Sequence, residues 1–256
     1  MQPIKAALQA AKAADQLLLK NFHRLHSQDY KAKSAHELVT ATDKAANLLI
    51  QKILKKSFPK IGILSEEGHN HNSKVRWIID PLDGTTNFIL HIPFFGVSLA
   101  LAEGDEILFG IITCPATKEI FIAAKNQGAK KNGKALTVNP SRPLKQTIIG
   151  YGYSHSAKSL HASLTLAKKL SYCVRAVRHS GSTALDMAYL AAGRLDAVII
   201  ANPVNIWDVA AGMVIVKEAG GKILDQKGNV WKNQNSDLYA GPNTLLNKLR
   251  SYAKTC

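Results

Sequence analysis

The chain has 256 residues, 46% of them hydrophobic and 20% charged, an ordinary globular composition and enough length for one large domain or two small lobes sharing a core. No run approaches the roughly 20 apolar residues of a membrane span, so a helical membrane protein is not expected. Lys and Arg total 33 against 18 acids, for a formal charge of +15. Such a field attracts anionic substrates and, without specificity, nucleic acid. The basic residues are scattered, with short clusters at KILKK, AKKNGK and AKK. With no zinc finger, RNA-recognition signature or basic zipper in the sequence, a solvated lysine-rich surface is the expectation.

In chain order, Ile4, Leu8, Ala11, Leu17 and Leu18 mark one helical stripe. The segment lacks the uninterrupted apolar core and cleavage site of a secretory signal. Asp15 and the steady period favour a packed helix over a basic transit segment. TATDKAANLLIQKILKKSF predicts a second helix, with Thr and Asp at its cap. IGIL and VRWIID read as short buried strands, and residues 93–136 alternate between turns at Glu-Gly-Asp, Pro-Ala-Thr and Asn-Gly, an antiparallel meander.

After residue 142 the pattern changes. QTIIGYG, YCVRAVRHS, DAVIIA and GKILD read as strands. SLHASLTLAKKL, STALDMAYLAAGRL, NIWDVAAGMVIVKEAGG and NTLLNKLRSYAKT read as helices. This alternation implies a sheet covered on both faces. The seam lies near residues 139–146, dividing an N-terminal α+β lobe (1–142) from a C-terminal α/β lobe (143–256) packed tightly on it. Cys114, Cys173 and Cys256 are odd in number and lack metal-ligand spacing, as expected of reduced thiols in a cytoplasm.

Acids cluster at element ends. Asp43 opens a helix, Glu66 and Glu67 follow IGIL, Asp80 and Asp83 follow the strand RWIID, and Asp208 sits in a first helical turn. Each follows apolar sequence that should be buried. Carboxylates held together at a core edge repel one another unless cations lie among them, and Mg²⁺ prefers such oxygen ligands. In DPLDGTT, Pro81 stiffens the turn and Gly84 permits close backbone approach. The Leu82 carbonyl and Thr85 hydroxyl are further oxygen donors, and a helix opening at Thr85 would present N–H groups to an anion. Alone, Asp-Pro-x-Asp-Gly is a common turn, Asp43 a helix cap, Asp208 a first-turn acid and Glu66-Glu67-Gly68 a solvated loop. Spacing leaves open whether these places meet.

WIIDPLDGTTNF resembles the first signature of the inositol monophosphatase family, and WDVAAGMVIVKEAGG resembles its second. LVTATDKAA, ILSEEG and RHSGSTALDMAYLAAGRLDA resemble further family blocks, in order, from about Lys33 onward. The resemblance implies a layered α-β-α-β-α sandwich of the sugar-phosphatase (fructose bisphosphatase-like) type, usually homodimeric. It also implies Mg²⁺-dependent, Li⁺-sensitive hydrolysis of a small anionic phosphate ester by a metal-activated water. By position it assigns Glu66, Asp80, the Leu82 carbonyl and Thr85 to a first metal ion. A second ion falls to Asp80, Asp83 and Asp208, and a third leans on Glu66. Glu67 becomes a support residue. Asp43 accepts from Thr85, which helps orient the water. Gly84, Thr85 and Thr86 face phosphate; Gly181, Ser182 and Thr183, with Asp208, face the substrate.

The chain departs from the family pattern at Ala201, where inositol-preferring members carry a Glu that contacts a sugar hydroxyl, and in the following NPVNI loop. Leu90 stands where members tend to have His. Fructose bisphosphate, histidinol phosphate and phosphoadenosine phosphate are therefore alternative substrates. An RNA-associated regulatory role is a different class of reading that the basic balance allows.

Overall fold

The computed structural model describes residues 2–22, 24, 30–32, 38–68, 73–153, 157–201, 203–232 and 235–255. Helix α1 (Pro3–Phe22) places five alanines, Leu18 and Phe22 on one buried stripe. A short antiparallel ribbon of β1 (Tyr30–Ala32) and β2 (Leu38–Thr40) leads into α2 (Ala41–Ser57). Thr40 caps α2. Its hydroxyl accepts from the Thr42 and Asp43 N–H groups, and Asp43 accepts in return from the Thr40 N–H at 2.9 Å, a reciprocal box that satisfies free donors at the helix start.

A seven-stranded sheet follows in sequence order: β3 (Gly62–Ser65), β4 (Val75–Asp83), β5 (Gly96–Glu103), β6 (Glu106–Cys114), β7 (Glu119–Ala124), β8 (Ala129–Lys131) and β9 (Lys134–Ala135). Only β3 and β4 pair parallel; from β4 on, the sheet is the expected meander. The short helix α3 (Thr85–Ile89) lies between β4 and β5.

The remaining chain supplies β10 (Ile148–Gly152), α4 (Ala157–Ser171), β11 (Ala176–Arg178), α5 (Thr183–Ala191), β12 (Ala197–Ile200), α6 (Ile206–Glu218), β13 (Lys222–Leu224), β14 (Leu238–Gly241) and α7 (Asn243–Thr255). These strands form a second sheet, ordered β11-β10-β12-β14-β13. β10 runs parallel to both neighbours, and β14 antiparallel to both of its own.

Strand alternation sorts the side chains into layers. On β4 and β5, Trp77, Ile79, Leu99 and Leu101 pack with α1 and α2, while Ile78, Ala100 and Ala102 pack with α5 and α6. The other side of that helix pair meets Val198, Ile200, Leu238 and Ala240 of the second sheet. Ile149, Ile199 and Tyr239 face outward with Leu170, Leu245 and Leu249 of α4 and α7. The result is the α-β-α-β-α sandwich expected from the resemblance. Because α6 lies between two sheets, every residue from Val209 to Val216 is buried. Approach is tight: a Cβ on Gly212 would lie 2.5 Å from Met187 Cβ, and one on Gly110 would lie 2.6 Å from Ala211 Cα.

Two expectations change. The strand expected over residues 172–180 contracts to Ala176–Arg178, because the Cys173 and Val174 N–H groups both donate to Leu170 O and close α4 instead. β14 is an added strand, inserted between β12 and β13. Cys114 and Cys173 are buried free thiols, and Cys256 lies outside the described residues. No helix among the described residues is long and apolar enough to cross a membrane.

Candidate active site

Asp80 occupies the β4 position two residues after Ile78, on the face that meets α6, and pairs across the sheet with Ser98. Ser98 donates to the carbonyl of Trp207, 3.1 Å away on α6. The register slips between Asp80 and Asp83, so β4 ends in a bulge that re-aims its side chains. The Leu82 N–H donates to Asp80 Oδ1 at 3.0 Å. Gly84 turns the chain at φ +89°, and a Cβ there would come within 3.0 Å of Phe94 O. The chain then enters α3 at Thr85.

This path carries Asp80 to two acids from elsewhere. Glu66 follows β3, with its N–H on Ile79 O at 3.2 Å. Asp208 comes from the first turn of α6. One carboxylate oxygen from each of Glu66, Asp80 and Asp208 lies within 4.8 Å of the others. Asp80 is buried, Asp208 half-buried and Glu66 exposed. Burial, and after it the charges of Glu66, Asp83 and Asp208, push the Asp80 carboxyl well above the usual carboxylate range.

Asp83 lines the same cavity but stands outside this triplet. Ser182 Oγ donates to its Oδ2, as does the Ala184 N–H at 2.7 Å, and the Thr183 N–H reaches its Oδ1 at 3.3 Å. Its carboxyl is pushed to about 6: burial raises it, and these bonds partly offset that. Asp83 therefore anchors the N-terminus of α5 as well as facing the cavity. Ser182, read from the sequence as a substrate contact, is buried and is the N-cap of α5, its hydroxyl engaged by Asp83. Gly181, at φ +83°, and Thr183 are more open on the cavity wall.

Thr85 Oγ1 lies 3.0 Å from both Asp43 Oδ1 and Leu82 O. One hydroxyl proton serves one of these acceptors at a time. Burial raises the pKa of Asp43, while its bonds from Thr40 and Thr85 lower it. The Glu67 carbonyl accepts from Asn47 Nδ2 at 2.8 Å, tying the acidic loop to α2. Thus Asp43, Thr85 and Leu82 meet through hydrogen bonds, and Glu66, Asp80 and Asp208 meet through their carboxylates. Gly84 and Thr86 line the same cavity of about 550 Å³.

Two residues not singled out from the sequence belong here. Asn87, inside the first signature, donates to Phe94 O at 2.7 Å and to Ser180 O at 2.8 Å, joining α3 to the turn before α5. Asp186 lines the cavity from α5 with a carboxyl pushed to about 7, chiefly by burial, against a lowering bond from Ser180. Asn87 carries only a weak signal in the sequence, an amide just after the DPLDGTT turn. Asp186 passes for an ordinary first-turn acid until the fold is known.

A family profile described as "Inositol monophosphatase family" matches residues 1–255. The chain is 38% identical over 227 residues to "Nus factor SuhB" of Xylella fastidiosa, covering 88% of this chain and 82% of that protein. It is 35% identical over 256 residues to "Inositol monophosphatase" of Dictyostelium discoideum, covering 97% and 93%. Among solved structures, it superposes on an IMPase of Thermotoga maritima with a TM-score of 0.90, at 28% identity and 100% and 98% coverage. The extragenic suppressor protein suhB of Bartonella henselae gives 0.91, at 34% identity and 98% coverage of each chain. With the profile spanning the whole fold, and the acids of the two signature segments meeting in one cavity, the chain belongs to the inositol monophosphatase family.

Proposed function

We propose that this chain is a Mg²⁺-dependent phosphate monoester hydrolase of the inositol-1-monophosphatase type. The observation that carries the reading is the convergence of Glu66, Asp80 and Asp208 within 4.8 Å, in one cavity. Three converging carboxylates fit hard divalent cations, which take carboxylate oxygens. When bound, Mg²⁺ supplies positive charge to the phosphate and acidifies water. Two to three ions are assigned: Glu66, Asp80, the Leu82 carbonyl and Thr85 to one, Asp80, Asp83 and Asp208 to another, and Glu66 to a third.

The chain's own groups do the positioning. Asp43 holds the Thr85 hydroxyl, whose lone pairs then orient the attacking water with Glu66. Gly84, Thr85 and Thr86 receive phosphate, and Gly181, Thr183 and Asp208 border the alcohol part. Ser182 acts by fixing Asp83. The same reading includes Li⁺ inhibition, a homodimer, cytoplasmic residence and the division into lobes at residues 142 and 143.

The test is phosphate release from inositol phosphate, fructose bisphosphate, histidinol phosphate and phosphoadenosine phosphate, with Mg²⁺ or EDTA and with or without Li⁺. Release that persists unchanged in EDTA refutes metal dependence. An RNA-associated regulatory role is a second reading, favoured by the formal charge of +15; relatives bearing the name Nus factor SuhB are consistent with it. A filter-binding titration separates the cases: affinity that collapses with salt and shows no site preference leaves only non-specific attraction.

A further inference from the structure

The parallel strands β11, β10 and β12 lie side by side, and their C-terminal ends all open on the cavity, the place where sheets of this kind present ligand-binding loops. From β10 come Tyr151 and, just past the strand, Tyr153; one residue past β11 comes His179. The Tyr153 ring stacks on His179 with centroids 4.8 Å apart and planes 21° apart. Tyr151 lies 5.4 Å from His179 and 5.8 Å from Tyr153. The His179 ring is set by Nδ1, which is 3.0 Å from Tyr151 O. Three rings, each touching the other two, are thus arranged before any substrate arrives. β12 contributes Ile200, and Pro203 and Val204 follow it on the cavity wall.

Carboxylate acceptors are few among the described residues at this end, which Ser180, Thr183 and Asn205 also line. Ala201 is buried and does not line the cavity. Apart from Glu66, Asp80, Asp83 and Asp208, the one carboxyl in the described lining is Asp186, which is bonded to Ser180. A polyol held in a desolvated site needs acceptors for its hydroxyls. A planar ring needs a flat apolar face. This end of the cavity offers the second.

We propose that Tyr151, Tyr153 and His179 form a stacking wall that selects phosphate monoesters whose alcohol part carries a planar aromatic or heteroaromatic ring. The proposal rests on the phosphatase reading and adds the substrate class. Stacking of a ring on an aromatic side chain is worth about 1–3 kcal/mol, or about 5- to 150-fold in affinity.

The experiment compares 2-phenylethyl phosphate with 2-cyclohexylethyl phosphate, which both release a primary alcohol of the same chain length but differ in ring planarity, using the full chain with Mg²⁺. Inositol 1-phosphate and adenosine 3′-monophosphate are further arms. The expected result is a kcat/KM ratio of about ten or more for phenyl over cyclohexyl, expressed mainly in KM. Tyr153→Ala brings the ratio near one and Tyr153→Phe restores it. If the adenosine ester is also favoured, and loses that advantage in Tyr153→Ala, the wall accepts nucleobases; if the phenyl ester alone is favoured, it accepts simple aryl rings. A ratio near one in the wild type, or a ratio that Tyr153→Ala leaves unchanged while both rates fall, overturns the wall. Calorimetric titration with the two matching phosphonates keeps the two readings apart. Tighter binding of the phenyl analogue, lost in Tyr153→Ala, upholds the wall even without turnover, and equal binding overturns it. Absence of phosphate release from every ester overturns the phosphatase reading alone.

Discussion

Replacing Asp80 by Asn should stabilise the metal-free protein and destroy its activity. Asp80 shares a space of 4.8 Å with carboxylate oxygens of Glu66 and Asp208. At an effective dielectric constant of about 20, two unit charges at that separation repel by about 3 kcal/mol. Glu66 is exposed and Asp208 half-buried, so water screens much of this, leaving about 2 kcal/mol of relief. The amide oxygen can keep the bond from the Leu82 N–H. For a protein of this size, that corresponds to a rise in Tm of about 4–8 °C. The assay is calorimetry in EDTA at pH 9 and pH 5, beside phosphate release. The gain should shrink as pH falls, because the raised Asp80 carboxyl takes up a proton and the repulsion goes with its charge. Saturating Mg²⁺ should reverse the order, because a ligand at a hundred times its Kd stabilises the wild type by about 2.7 kcal/mol and the variant by less. An Asn variant that melts lower than wild type in EDTA at pH 9, or one that hydrolyses substrate at the wild-type rate, would refute the reasoning.

Gly212→Ala should cost about 2–3 kcal/mol in urea unfolding, because the new Cβ would sit 2.5 Å from Met187 Cβ; by displacing α6 and Asp208 it should also lower kcat/KM. Ser182→Ala removes the α5 cap and a bond to Asp83, so it should lose about 1–2 kcal/mol and shift the Mg²⁺ activation curve to higher concentration. Glu119 is held at about 2, first by its hydrogen bond from Arg194 and also by Lys131. Its contribution to stability is therefore fully present above about 4.5, its ordinary value, and is lost as pH falls toward 2. Glu119→Gln should flatten that acid limb by about 1–2 kcal/mol, a figure reduced because Arg194 is partly exposed to solvent; an acid-unfolding profile identical to wild type would rule out a stabilising role for the pair.

Most of the fold was legible because its signals are local. The alanine stripe of α1, the Thr40–Asp43 cap and the alternation along β5 and β6 each depend on residues a few positions apart. β14 escaped because Leu238–Gly241 has one aliphatic residue and ends in Ala-Gly, whereas the equally short β3 and β12 carry the aliphatic runs Ile-Leu and Val-Ile-Ile. Its position comes from pairing with β12 and β13, partners distant in sequence. The excess length given to β11 has the same origin. Tyr172, Cys173 and Val174 are as strand-like as Ala176 and Val177, but the carbonyls at the end of α4 claim the Cys173 and Val174 N–H groups first.

The site divides along the same line. That acids stand at element ends is a sequence fact; that Glu66, Asp80 and Asp208 share one small space depends on strand parity and layer order. Ile78 and Asp80 occupy the same face of β4, and that face meets α6 because α5 and α6 fill the middle layer. α6 in turn can lie close enough to carry Asp208 inward because Gly110 and Gly212 leave out side chains where backbone and Met187 pass. The acidic cluster is thus set by two glycines that hold no charge. A chain with an excess of positive charge draws anions toward its surface, yet the described lining of this cavity has no lysine or arginine to receive them. The overall charge can concentrate a phosphate ester near the protein, but the four carboxylates of the site repel it unless positive charge lies among them.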